Sequence, residues 1–220
     1  MRLLVDFLCR FGWGMAAALA VTPATLVPAG FFRVNLLVVL GLASVAAFLA
    51  RAEMAGPAWI LTAIAAVVAW VGSIAWFGER TRAGMALCRI TALLLAAATV
   101  LVQPRPGAAA AGTALVSGLV VGWYLNAPGM SVAALRRMID WALAAWGVQL
   151  VLCLAAAAND PSSAPLTGGT ATALLSLRWL AGLVGLPVLL VMSRKTLDIP
   201  NTQSATGILY VACLAAILGE

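Results

Sequence analysis

Residues 57–102 read PAWILTAIAAVVAWVGSIAWF, then GERTR, then AGMALCRITALLLAAATVLV. Two continuous apolar runs, Pro57–Phe77 and Ala83–Val102, flank a charged strip, Gly78-Glu79-Arg80-Thr81-Arg82. The hydrocarbon core of a bilayer is about 30 Å thick, and a helix rises 1.5 Å per residue, so a spanning helix needs about 20 mostly apolar residues. Both runs meet that length. Neither alternates polar with apolar residues, which sets them apart from strands of a membrane barrel. The stretch therefore predicts a transmembrane helical hairpin with a tight charged turn.

The same pattern repeats in both directions. Of 220 residues, 64% are hydrophobic and 9% charged, against about 25% charged in soluble domains. The prediction is an all-α, polytopic membrane protein. It forms a single integral membrane domain, a bundle of about eight transmembrane helices with short loops. The expected spans are 4–27, 34–50, 57–77, 83–102, 109–125, 138–158, 171–192 and 204–218. The first run begins like a secretory leader, with Ala18-Leu19-Ala20 downstream. Asp6 and Arg10 interrupt its apolar region, so it reads as a retained helix. Pro23 and Pro28 end or kink that helix. Gln103–Gly107 and Asn159–Pro165 are turn-rich breaks.

Orientation follows from the basic residues of the connections. Arg33, Arg80, Arg82, Arg136, Arg137, Arg194 and Lys195 fall on one side, and Arg2, Arg10, Arg51 and Arg105 on the other. The richer side is expected to be cytoplasmic, which places both termini in the periplasm. The preference for Arg over Lys and the abundance of Ala point to a GC-rich bacterium, hence to the bacterial inner membrane. The net charge of +6 does not indicate nucleic acid, because the basic residues are scattered and not interleaved with aromatics. The expected partners are the lipid bilayer and other membrane subunits.

The chain contains no His. Its own residues therefore offer no bis-His haem ligation, no His-based metal site and no Ser-His or Cys-His pair. The expectation is no cofactor and no metal. Cys9, Cys88, Cys153 and Cys213 fall in different predicted helices without a CxxC and read as small packing residues.

Two polar segments stand out. Arg194–Gly207 holds Arg194, Lys195, Asn201, Gln203 and Ser204 just before the last predicted span. Pro200 stops one helix and Asn201 or Ser204 caps the next, exposing N–H groups that suit an anion. An ordinary capped loop would need fewer hydrogen-bonding groups. The second segment, Gly122–Met130, carries Tyr124 and Asn126 and leads to Arg136 and Arg137. It reads either as an aromatic belt or as a pocket wall. Asp140 is placed to pair with Arg136 or Arg137. Arg89 and Arg178 lie inside predicted spans, where a charge is costly. Both are shallow enough to snorkel. Asp6 and Arg10, spaced i,i+4 with the acid first, form an expected intrahelical pair. Gly118/Gly122, Gly12/Ala16, Gly14/Ala18 and Ala181/Gly185 are small-residue pairs of the kind that lets helices approach closely.

No Walker loop, HExxH, GxSxG or dinucleotide fingerprint occurs, and the residues favour a non-enzymatic role. The first functional expectation is a cofactor-free integral subunit of a larger membrane complex, scaffolding partners and contributing to a quinone- or lipid-headgroup site. A small transporter of an organic anion or amphiphile is the alternative, with Arg89, Arg178 and the segment before helix eight along its route. A membrane enzyme acting on lipid-linked phosphate ranks last. Its only acids on the expected cytoplasmic face are Glu79, Asp140 and Asp198.

Overall fold

The computed structural model of the chain describes residues 2–53, 56–102, 131–159, 169, 173, 176–177, 179–199 and 202–218. Among them every regular element is helical: α1 (Arg2–Val21), α2 (Ala29–Glu53), α3 (Ala58–Phe77), α4 (Thr81–Val102), α5 (Val132–Asn159), α6 (Leu186–Thr196) and α7 (Thr202–Leu218). A π-helical stretch, Trp179–Gly185, runs directly into α6. Among the described residues five segments are long and apolar enough to cross a bilayer: Leu4–Val21, Ala29–Ala52, Ala58–Phe77, Thr81–Val102 and Trp179–Thr196. The predicted span 109–125 lies outside the described residues.

Several boundaries differ from the sequence expectation, each for a local reason. α1 stops at Val21 rather than at 27. Thr22 closes it, its Oγ1 donating to the Ala18 carbonyl at 2.7 Å, and Pro23 cannot continue the ladder. α2 begins at Ala29, so Arg33 lies within the helix and not before it. Pro28 supports that start, and its carbonyl accepts from Phe31 N–H at 3.0 Å. α5 begins at Val132 instead of 138, because Ser131 caps it through its Oγ to Ala134 N–H at 3.4 Å. Arg136, Arg137 and Asp140 are therefore helical residues. α6 runs on through Arg194 and Lys195, since Arg and Lys are good helix formers. The π turn sits just before Pro187, which has no N–H to give the Leu183 carbonyl.

α1 to α4 form a closed ring. Each packs against its neighbour in sequence, and α4 returns to α1. The helices alternate in direction. Arg33, early in α2, lies over the Phe77 ring at the end of α3, 4.7 Å from its centroid. At the opposite end, Arg51 lies over Trp59, 5.3 Å from its centroid. α3 shows how the bundle is built. Inward it turns Ala58, Thr62, Ala65, Ala66, Ala69, Gly72, Ser73 and Trp76. Outward it turns Ile60, Ile64, Val67, Trp70, Val71, Ile74 and Phe77. Small residues inside and large apolar ones outside reverse the pattern of a water-soluble helix. In lipid the outer face has no reason to hide, and small inner residues let backbones approach.

Large side chains fill the ring's core at more than one depth. Trp76 stacks on Phe32 with centroids 4.2 Å apart and planes at 8°. Phe31, Leu36 and Leu95 are fully buried in the same cluster. Gly84 on α4 makes room for the indole: a Cβ there would lie 2.6 Å from Trp76 Cε2 and Nε1. Gly12, one of the small-residue positions singled out in the sequence, faces Leu95 and Leu42, with an added Cβ at 3.5 and 3.9 Å. A second, smaller cluster of Val5, Cys9, Ala46, Ala50, Ala58 and Val102 fills the end where α1 begins. The larger cluster continues into Leu135 and Ile139 of α5, Leu186 and Leu190 of α6, and Leu209 of α7.

Candidate functional site

The first turns of α5 and the last turn of α6 bring four cations and two carboxylates to one end of the second helical group. Arg136 Nη2 donates to Asp198 Oδ1 at 2.6 Å and to the Leu197 carbonyl at 3.0 Å. Arg194 Nε donates to Asp140 Oδ1 at 2.6 Å, and its Nη2 to Oδ2 at 3.3 Å. The pairs cross: each helix supplies one cation, α5 supplies one acid, and the turn after α6 supplies the other. The pairing of Asp140 differs from the sequence expectation, which matched it to Arg136 or Arg137 on its own helix. In the i,i+4 order Arg136 precedes Asp140, the weaker arrangement for a helix pair. α6 offers Asp140 a two-point partner instead.

These pairs are half-exposed, with side-chain exposures of 39% to 62%, so solvent screening leaves them little weight in stability. Their role is positional. Below them, Ser193 is fully buried, and its Oγ donates to the Ala205 carbonyl of α7 at 3.1 Å. That bond ties the end of α6 to the start of α7 and fixes the turn that carries Asp198. Nothing in the sequence pointed to Ser193, because a lone serine beside a basic pair carries no pattern.

Arg137 and Lys195 are exposed and form no ion pair among the described residues. Gln203 and Ser204 are exposed on the first turn of α7. The structure thus gathers Arg136, Arg137, Arg194, Lys195, Gln203 and Ser204 onto the α5 start, the α6 end and the α7 start. Tyr124, Asn126, Asn201 and Arg178 lie outside the described residues. Both carboxylates are committed to guanidinium partners, and the uncommitted charge is positive. The arrangement suits binding an anionic group; it offers no free carboxylate as a general base.

Two further charged features lie in the α1–α4 ring. Asp6 and Arg10 form the expected pair, Nη2 to Oδ2 at 2.6 Å, with 7% and 13% of their side chains exposed. Arg89, two turns into α4, is exposed on the outside of the ring. Four polar groups of the ring donate to carbonyls of their own helices. Asn35 Nδ2 donates to the Phe31 carbonyl at 2.8 Å, Thr62 Oγ1 to Trp59 at 2.9 Å, Ser73 Oγ to Trp70 at 2.7 Å, and Thr91 Oγ1 to Leu87 at 2.8 Å.

No family model matches the chain, and no curated protein or solved structure does.

Proposed function

We propose that the protein is a cofactor-free integral subunit of a larger membrane assembly. It spans a bacterial inner membrane about eight times with both termini periplasmic. Its α5–α7 end forms part of a quinone- or lipid-headgroup site on the cytoplasmic face. The observation that carries the reading is how the α1–α4 ring spends its interior. Phe31, Phe32, Leu36, Trp76 and Leu95 help fill it, and Asn35 Nδ2 and the hydroxyls of Thr62, Ser73 and Thr91 donate to their own helix carbonyls. A carrier's route needs polar groups that face a cavity and unwound helix segments near midplane. This interior is built for packing, which favours a scaffold. The cationic α5–α7 end supplies a headgroup contact of the kind Arg and Lys make with phosphate or a polarised carbonyl.

The test is extraction of the tagged protein with its native lipid in polymer discs, followed by measurement of particle mass. A stoichiometric complex well above one 22.6 kDa chain, with a second polypeptide at fixed ratio, is the expected result. A lone chain in its lipid disc would remove the reading. Uptake of organic anions by the lone chain in proteoliposomes would put the transporter in its place.

A further inference from the structure

We propose that the outer face of α4 carries a binding site for the phosphate of an anionic phospholipid, formed by Arg82 and Arg89. It lies in the α1–α4 ring and does not involve the α5–α7 cluster. Arg82, Ala86, Arg89 and Leu93 recur every three or four residues and are all exposed, so they share the face that α4 turns away from α1 and α3. Ile90 and Leu93 flank Arg89 with 44% and 70% of their surface exposed. Around Arg89 this face is therefore exposed and apolar, with Arg82 nearer the helix start. Thr81–Val102 is a candidate span, and Arg89 lies about 10 Å deeper along it than Arg82.

A guanidinium at that depth needs a counter-charge or a path to the interface. Among the described residues it has no counter-charge: neither Arg82 nor Arg89 makes an ion pair, and Glu79 in the preceding turn pairs with neither. Asp6, Asp140 and Asp198 already have arginine partners. The stretch 103–130 contains no acid at all. Geometry supplies the path. Helical side chains lean toward the helix N-terminus, and the N-terminus of α4 is the end that carries Arg82. Arg89 therefore leans up toward Arg82, with the small Ala86 between them. A lipid phosphate seated at Ala86, its acyl chains lying along Ile90 and Leu93, meets Arg89 by this lean and Arg82 only when that long, flexible side chain folds back along the helix. Guanidinium forks match phosphate oxygens in geometry and charge.

Native mass spectrometry of the full chain in detergent tests this, using phosphatidylglycerol and a diacylglycerol with the same acyl chains. The wild type should retain phosphatidylglycerol and release diacylglycerol. Arg89→Leu should lose one bound phosphatidylglycerol and need about tenfold more lipid to recover it, with its thermal midpoint unchanged. Arg82→Gln should weaken the same lipid, and Arg51→Leu at the opposite end of the ring should not. Equal retention of the two lipids by the wild type would overturn the proposal. So would an unchanged phosphatidylglycerol count in both Arg89→Leu and Arg82→Gln. Displacement of the lipid by millimolar inorganic phosphate would overturn it too, marking a soluble-anion site.

Discussion

Replacing Arg10 by Leu should destabilise the folded protein by about 3–5 kcal/mol, the cost of leaving a buried carboxylate without its partner charge. Asp6 is 5% exposed and lies with Arg10 inside the span Leu4–Val21. Asp6→Leu should also destabilise the protein, because it removes the carboxylate that Arg10 pairs with at 2.6 Å. The double variant Asp6→Leu/Arg10→Leu should recover most of the loss, because well-packed apolar residues replace buried ion pairs at little or no cost. Thermal midpoints of the purified variants in detergent give the comparison. A double variant as unstable as Arg10→Leu alone would show that the pair's worth lies in contacts to its surroundings rather than in mutual neutralisation.

The second large effect is expected at Gly84. Gly→Ala in a helix ordinarily gains about 1 kcal/mol from propensity. At Gly84 the new methyl would meet the Trp76 indole at 2.6 Å. The ring cannot retreat, because Phe32 stacks on its other side at 4.2 Å. Overpacking of this kind costs about 1–3 kcal/mol, and a rigid, sandwiched ring belongs at the upper end. The net result for Gly84→Ala is a loss of about 2 kcal/mol. Gly41 provides the contrast within the same ring of helices. An added Cβ there meets nothing within 4 Å, so Gly41→Ala should leave the midpoint unchanged or raise it. Equal shifts at the two positions would contradict the stack as the keystone of the bundle.

The long apolar runs were readable because lipid leaves the backbone few options: its polar groups must be satisfied within the segment, and a helix does that. The hairpin of 57–102 shows it best, since α3 begins at Ala58 and α4 ends at Val102 as the composition suggests. Boundaries failed where charge was taken as the end of a helix. Arg136, Arg137, Arg194 and Lys195 continue α5 and α6, because charge alone does not break a helix. Proline and serine mark the true boundaries at Thr22-Pro23, Pro28 and Ser131.

The candidate site was legible as a set of residues and not as a set of pairs. Arg136 and Asp198 are 62 residues apart, and Arg194 and Asp140 are 54 apart. Which cation meets which acid depends on how α5 packs against α6, and no local pattern encodes that. The Asp6–Arg10 pair was legible for the opposite reason, its geometry being set within one helical turn. The role of Gly84 was hidden in the same way as that of Ser193. Each matters through a neighbour on another helix.

Cysteine labelling in sealed membrane vesicles tests the alternating α1–α4 bundle most directly. In a background with the four native cysteines replaced by Ala, Glu79→Cys probes the α3–α4 turn and Ala52→Cys the end of α2. The proposed topology puts these positions on opposite faces of the membrane, Glu79 on the proposed cytoplasmic side. A membrane-impermeant maleimide should therefore reach Glu79→Cys only in inverted vesicles and Ala52→Cys only in right-side-out ones. Labelling of both positions from the same side would contradict the bundle as a membrane-spanning unit.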